Sequence, residues 1–135
     1  MRKTADFRLI SIDVVVYFVE YAGMGGRQTY LGEFEQIVLL AVLQLKDVAY
    51  GASIRRQIEE RGERRVTIGA AYATLDRLLE KGYLKAHEGD ESPERAGQPR
   101  RYFSITPSGV AALENARALQ SRMWSGVQLP KGRKA

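Results

Sequence analysis

The order of hydrophobic periodicities along residues 33–126 constrains the fold more than any other feature of the sequence. Apolar side chains recur at three- and four-residue steps in three successive segments, which predicts helices over about 33–46, 51–61 and 68–81. The next two segments, 83–87 and 100–105, alternate apolar and polar residues as strands do. A last helical segment follows from 107 to about 126. This order predicts a mainly α fold with a small β-hairpin, in the arrangement of a winged helix-turn-helix.

Local signals support the element boundaries. Thr67 and Thr106 are good N-cap residues directly before the third and the last helix. Gly62 and Gly82 follow the second and third helices, where glycine commonly ends a helix. Residues 89–99 consist of turn-forming and charged residues, so the hairpin is expected to have a long polar tip.

Composition limits the chemistry that the chain can support. Its 135 residues suit one domain, and a net charge of +5 favours a polyanionic partner. The sequence has no cysteine and a single histidine, His87, which excludes disulfides and a cysteine nucleophile and leaves little for a zinc site. Neither a phosphate-cradling glycine loop nor a nucleophile with an orienting base is found. We therefore expect no enzymatic activity, no catalytic residue, no metal and no cofactor.

Residues 1–29 precede the helical pattern, and we interpret them as an N-terminal extension. Their apolar run at 14–19 is too short for a membrane helix, and the charges around it disfavour a signal peptide. A short strand or an added dimerisation element remains open. Because every later element is complete without residues 1–23, Met24 is an alternative start of the native chain. Deleting those residues is then expected to leave the folding and the function of the chain intact.

The outer face of the third helix has the features that a helix needs to read the major groove. Small residues allow close approach to base edges, and polar residues supply hydrogen bonds to bases and phosphates. Three small and three polar residues meet these needs: Gly69, Ala70 and Ala73, and Thr67, Thr74 and Arg77. The hairpin has three arginines that can reach the flanking DNA backbone: Arg95, Arg100 or Arg101.

Several of these residues also have a structural interpretation, which the sequence leaves open. Tyr72 either donates its hydroxyl hydrogen to a phosphate or packs between the third helix and the core. Arg77 either contacts DNA or forms a surface ion pair. Because strand side chains alternate in direction, only one of Arg100 and Arg101 is expected to face DNA.

Six segments along residues 31–109 together resemble the PadR family of bacterial transcriptional regulators. The segments are 31–35 (LGEFE), 49–51 (AYG), 68–78 (IGAAYATLDRL), 80–84 (EKGYL), 97–103 (GQPRRYF) and 106–109 (TPSG). Each segment alone is a weak signal, but their order and spacing make a strong one. The single short C-terminal helix is similar to that of the compact branch of the family.

The resemblance implies a winged-helix homodimer, held largely by the C-terminal helix, that represses a promoter and is often relieved by a small molecule. It places six residues of the third helix at DNA: Thr67, Gly69, Ala70, Tyr72, Ala73 and Arg77. Family members often have Ser or Thr near the position of Ala70 and Pro at that of Ala73. Base preference therefore does not carry over to this chain.

The C-terminal helix has more apolar surface than three helices and a hairpin can cover, which also predicts a dimer. Four of its residues are assigned to a dimer or effector pocket: Leu113, Leu119, Met123 and Trp124. Trp124 either only packs or lines a cavity for a small aromatic effector. We thus divide the chain into the extension, a DNA-binding domain over 30–105, a dimerisation helix over 106–126 and a basic disordered tail over 127–135.

The predicted function is that of a cytoplasmic, sequence-specific regulator of transcription, with double-stranded DNA and a second copy of the chain as partners. A winged helix used for protein–protein contact is the alternative, since the fold alone does not dictate function. The basic residues of the third helix and of the hairpin argue against that alternative. RNA binding is less favoured because the basic faces lack the stacking aromatic residues of single-strand readers.

Overall fold

The structure is a computed structural model that describes residues 30–91 and 96–132. Within these ranges the elements are α1 (Glu33–Leu45), α2 (Gly51–Gly62), α3 (Ile68–Glu80), β1 (Leu84–Glu91), β2 (Pro99–Ile105) and α4 (Pro107–Trp124). A single 3-10 turn, Lys46–Val48, links α1 to α2. The predicted order of three helices, a hairpin and a helix is confirmed. The strands extend further than predicted, so the hairpin tip is shorter than the segment 89–99.

The core forms around α1, whose residues Val38 and Leu39 are fully buried. Helices α2 and α3 and the hairpin each bury large apolar side chains against it: Ile54 and Ile58, Leu75 and Leu78, and Phe103. Leu40 and Leu43 of α1 and Ile68 of α3 continue the apolar stripes of their helices, but they are 45%, 42% and 47% exposed. They lie on the outer sides of their helices, where nothing in the described chain covers them.

The hairpin β1–β2 is extended by a short third segment that the sequence did not reveal. The strands pair antiparallel, with Leu84 opposite Ile105 and His87 opposite Tyr102. The backbone N–H of Phe103 donates to the carbonyl of Ala49 at 2.9 Å, and Tyr50 forms a bridge with Tyr102. The segment before α2 is therefore the edge of the sheet, and this fixes the hairpin beside the N-terminus of α2.

The predicted N-caps are confirmed and set the angles at which elements meet. The prediction that Gly62 follows the second helix is wrong, since Gly62 is the last residue of α2 and Glu63 takes the left-handed conformation after it. The Thr67 hydroxyl accepts the N–H of Ala70 at 3.1 Å, and the Thr106 hydroxyl accepts the N–H of Gly109 at 3.1 Å. Thr106 also donates from its hydroxyl to the carbonyl of Gly82 at 2.6 Å. Gly82 has a φ of +79°, a conformation that L side chains disfavour. The end of α3 is thus joined directly to the start of α4.

Only the first part of α4 packs on the domain. Gly109 and Ala112 are buried, whereas every residue from 117 to 124 is exposed in the described chain. Residues 127–132 of the predicted tail are exposed and form no helix or strand, and 133–135 lie outside the described residues, as does the extension 1–29 with Met24. None of the helices in the described ranges is long and apolar enough to cross a membrane.

Candidate nucleic-acid interface

The outer face of α3 gathers six of the residues that the sequence assigned to DNA. Thr67, Gly69, Ala70, Tyr72, Ala73 and Arg77 are all exposed along this face. At Gly69 a Cβ would meet nothing within 4 Å, so the glycine leaves open space towards the solvent. We call these six residues the α3 face. Gly69 and Ala70 leave only small side chains at the N-terminal half of this face, so another molecule can approach the backbone closely there.

Thr74 does not belong to this face, and its assignment as a DNA contact is corrected. The residue is only 2% exposed, and its hydroxyl accepts a hydrogen bond from Nη2 of Arg77 at 3.0 Å. Thr74 lies three residues after Ala71 and four before Leu78, both of which are buried. This helical spacing places it on the core side of α3 in spite of its polar side chain.

Tyr72 packs between helices, but its ring stays within reach of a ligand. The ring lies against Gly51 at the start of α2, where a Cβ would overlap the ring edge and the hydroxyl. The residue is nevertheless 42% exposed. The packing interpretation is therefore confirmed, while a hydrogen bond from the hydroxyl to a phosphate stays a prediction. Glycine at position 51 is what allows α3 to approach the start of α2 so closely.

Arg77 lies at the C-terminal end of the α3 face and is partly held by protein groups. Its side chain is 54% exposed, and its Nε atom lies 3.6 Å from Oε2 of Glu35. Together with the bond to Thr74, this contact holds the guanidinium along the helix. The ion pair that the sequence left open is thus present, and the exposed half of the side chain remains available to DNA.

Glu35 is the acceptor at the centre of this charged cluster. Its side chain is 8% exposed, and its carboxylate accepts the backbone N–H of Gly32 at 2.8 Å and Nζ of Lys81 at 2.9 Å. Burial raises the pKa of Glu35, but the Gly32 bond, the bond and charge of Lys81 and the charge of Arg77 outweigh it and lower the pKa below its ordinary value.

The position of Glu35 at the centre of a charged cluster was not predicted from the sequence. The sequence marks the residue only as one of two acids in the first turn of a helix. The available signal was the spacing to Gly32, since a glutamate three residues after an N-cap often accepts the N-cap N–H. The partners Lys81 and Arg77 are distant in sequence, and no local pattern points to them.

The two arginines at the start of β2 have different environments, as strand alternation predicted. The guanidinium of Arg100 stacks 4.1 Å above the ring of Tyr50, and its Nε atom is buried without a hydrogen-bond partner in the described chain. Arg101 is exposed, so it is the arginine of the pair that is free to approach DNA. Arg95 lies outside the described residues.

Tyr102 fixes the base of the hairpin through two aromatic contacts. Its ring meets Tyr50 edge to face and stacks on His87, each with centroids 5.7 Å apart. Since Tyr50 is the residue directly before α2, these contacts hold the hairpin at a fixed position relative to α2 and α3. The hairpin is therefore anchored beside the N-terminus of α2, where Tyr72 of α3 also packs against Gly51.

The four residues assigned to a dimer or effector pocket do not share one environment. Leu113 is partly buried and packs on the protein's own core, which explains it without a partner. Leu119, Met123 and Trp124 are 45%, 68% and 55% exposed. A groove of about 460 Å³ separates residues 30–31 from α4, and Leu119 is the member of the four that lines it within the described structure.

The sequence matches the transcriptional regulator PadR-like family over residues 39–115, which is more than half of the chain. Among curated proteins no relative matches. Solved structures with the same fold include a PadR-like transcription factor from Bacteroides fragilis, at 25% identity and a TM-score of 0.58, covering 68% of this chain and 84% of that one.

Two further structures have less sequence in common with the chain and support the fold alone. A PadR family transcriptional regulator from Eggerthella lenta has 22% identity and a TM-score of 0.56, over 84% of this chain and 88% of that one. A transcriptional regulator from Clostridium thermocellum has 22% identity and a TM-score of 0.57, over 67% and 85%. The hairpin beside α3 is the wing of a winged helix-turn-helix. From the family match and this fold together, the chain belongs to the PadR-like family of transcriptional regulators.

Proposed function

We propose that the protein is a dimeric repressor that binds duplex DNA in a sequence-specific way, with α3 in the major groove. The observation that carries this proposal is the α3 face, which is exposed, small at its N-terminal half and basic at Arg77. A helix of this shape can bring its backbone close to base edges, which is the geometry that direct readout needs.

The roles of the individual residues follow from their positions on this surface. Thr67, Gly69, Ala70 and Ala73 approach the bases, and Arg77 reaches a base edge or a phosphate at the far end of the helix. Tyr72 donates its hydroxyl hydrogen to the DNA backbone. Of the wing arginines, Arg95 and either Arg100 or Arg101 are assigned to the flanking phosphates. Of these, Arg101 has the strongest support because it is exposed.

The dimer is proposed from the exposed apolar residues of α4. The second half of α4 is exposed within the described chain, and a helix without tertiary packing gains little stability in water. Leu119, Met123 and Trp124 would be covered by the same helix of a second copy, which gives a two-fold interface. Such a dimer would place its two α3 helices on half-sites about 34 Å apart, one turn of DNA.

Relief of repression by a small aromatic effector is the least supported part of the proposal. It rests on Trp124, whose exposed indole offers a flat apolar surface at the end of α4. A cavity between two copies would bring two such rings together and suit a flat ligand. We assign the protein to the cytoplasm because promoter DNA is found there.

The proposal is tested by fluorescence anisotropy with the duplex upstream of the protein's own coding region, beside a scrambled duplex. Titrations at about 50 mM and about 200 mM salt separate the electrostatic contribution from sequence preference. We expect tighter, salt-sensitive binding to the upstream duplex. Equal weak binding to both duplexes, and to a panel of genomic fragments, would contradict promoter recognition and favour a protein partner.

A matched pair of variants locates the interface. Arg77→Ala removes a charge from the α3 face, and Arg61→Ala removes the same charge from the groove between α1 and α2. We expect only the first to weaken binding to the preferred duplex. Equal losses in both variants would show that binding follows net charge and not the α3 face.

A further inference from the structure

The charged end of α3 is tied to the start of α1 by a single buried carboxylate. Glu35 accepts from Gly32 in its own helix and from Lys81 just after α3, and it lies 3.6 Å from Nε of Arg77. Lys81 also donates to the carbonyl of Tyr30 at 3.4 Å. Two cations of the C-terminal end of α3 therefore converge on one acceptor.

The contacts of Arg77 restrict its orientation. Glu35 holds the Nε edge of the guanidinium, and Thr74 accepts from Nη2. Both acceptors are themselves buried and fixed, so the guanidinium is held at two points on its protein side. The side chain of Arg77 is nevertheless 54% exposed, so part of it stays accessible beside the rest of the α3 face. A free arginine side chain would instead sample many rotamers and lose that freedom on binding.

Packing alone does not account for a carboxylate at this position. Removing a carboxylate from water is costly, and an apolar side chain of similar volume is often as stable in such a place. Lys81 would satisfy the charge of Glu35 without Arg77. Arg77 is the second cation at this carboxylate, and it belongs to the α3 face. This suggests that Glu35 acts on the orientation of Arg77.

We propose that Glu35 is a positioning residue that fixes Arg77 for sequence-specific contact and restrains its non-specific attraction to phosphates. The inference rests on the proposed function. Held by Glu35, Arg77 presents a defined set of donors, which favours one base pair over others. The negative charge of Glu35 also offsets part of the positive charge at this end of α3. This weakens binding to any duplex regardless of its sequence.

The test is Glu35→Gln, which keeps an acceptor for Gly32 and removes the charge. The readout is the ratio of affinities for the duplex that the wild-type protein prefers and for its scrambled version. We expect the ratio to fall about three- to tenfold, which lies in the lower part of the range for coupled neighbouring residues. Glu33→Gln is the matched control, because Glu33 lies in the same helical turn as Glu35. The change removes the same charge from an exposed ion pair with Arg64. That control should change the ratio less than about twofold.

A second variant separates positioning from stability. Lys81→Met removes the other cation that contacts Glu35, and it should leave the contact between Glu35 and Arg77 in place. Both Glu35→Gln and Lys81→Met are expected to lower the melting temperature, and only Glu35→Gln is expected to lower the affinity ratio. A ratio that falls equally in both variants would overturn the inference, since it would then follow stability.

The double variant Glu35→Gln with Arg77→Ala completes the test. If Glu35 acts through Arg77, Glu35→Gln should have no further effect on the ratio once Arg77 is absent. An undiminished effect in the Arg77→Ala background would overturn the inference. If Arg77→Ala lowers the ratio and Glu35→Gln does not, this inference fails while the proposed function stands. If the wild-type protein prefers no duplex, both are overturned.

Discussion

Glu35 and Arg77 lie 3.6 Å apart, yet one is almost fully buried and the other is half exposed. This contrast lets a buried group influence a surface that it does not reach. The carboxylate belongs to the core by its surroundings, but the guanidinium that it holds lies on the α3 face. At the scale of single residues, the chemistry of the interface is thus set partly from inside the domain.

The ionisation of Glu35 should make stability depend on pH in the acidic range. The pKa of Glu35 is below its ordinary value of 4.5 in the folded chain, so the charged form is favoured by folding. Its contribution is fully present above about pH 4.5 and is lost as the pH falls through the lower folded-state pKa. Urea unfolding at about pH 6 and about pH 3 checks this.

Glu35→Gln provides the comparison, because the other acids of the chain titrate in both proteins. At about pH 6 we expect the wild type to be more stable by about 1.5–3 kcal/mol, the range for hydrogen bonds to charged groups. The difference should shrink at about pH 3. A difference that stays constant across this range would contradict a lowered pKa.

Arg77→Ala should weaken binding to the preferred duplex by about 1–3 kcal/mol if the guanidinium contacts a base. A contact to phosphate alone would instead weaken binding to all sequences and reduce the salt dependence by about one counterion. Anisotropy titrations over a series of salt concentrations distinguish the two. Unchanged affinity at physiological salt would remove Arg77 from the interface.

At the scale of elements, close approaches between helices depend on two glycines. Gly51 receives the ring of Tyr72, and a Cβ at Gly109 would overlap the carbonyl oxygen of Tyr83. The first approach sets the distance between α2 and α3. The second places the start of α4 against Tyr83, in the segment that follows α3. Both contacts join residues that are distant in sequence, so helix propensity alone does not require glycine there.

Gly109→Ala should therefore destabilise the domain although alanine favours helices. The added methyl group meets backbone, which cannot turn aside as a flexible side chain can, and overpacking of this kind costs about 1–3 kcal/mol. Gly69→Ala is the control, since its Cβ meets open space and should stabilise α3 by about 0.4–1 kcal/mol. Thermal unfolding of both variants checks the signs. A stabilised Gly109→Ala protein would show that α4 is not seated as described.

Sequence rules succeeded at this scale where the determining contacts are local. The caps at Thr67 and Thr106 and the alternation of Arg100 and Arg101 depend on neighbours within a few residues, and the structure has them as predicted. The bridge from Tyr50 to Tyr102 and the burial of Thr74 were missed. The first depends on a pairing about fifty residues apart, and in the second a polar side chain hid a helical spacing that belongs to the core.

At the scale of the whole molecule, the described chain is a compact winged domain with a helix that extends beyond it. The order of periodicities was enough to predict that architecture, because each element contributes apolar side chains to one core. It was not enough to divide the apolar residues of α4 between the core and an interface. Leu113 packs inside the domain, whereas Leu119, only six residues later, is 45% exposed.

This division leads to a prediction about assembly. We call Leu119, Met123 and Trp124 the exposed apolar row of α4. Met123→Asp places a charge in this row, and burying an unpaired charge in a dimer interface is strongly unfavourable. We expect the variant to be a monomer by sedimentation at concentrations where the wild type is a dimer. Its affinity for the preferred duplex should fall at least tenfold, because a monomer engages one half-site and loses the gain from linked binding.

Arg117→Asp is the control, because it changes a side chain in the same exposed half of α4 from one charge to another without entering the apolar row. It should leave the assembly unchanged, since a charge that stays in solvent loses little. Because the domain itself does not depend on Met123, both variants should keep the melting behaviour of a folded winged helix apart from the contribution of the dimer. A wild type that is already monomeric at high concentration, yet binds DNA with full sequence preference, would contradict the role proposed for α4. In that case the exposed row would have to serve another contact, and the α3 face would recognise its site as a single copy.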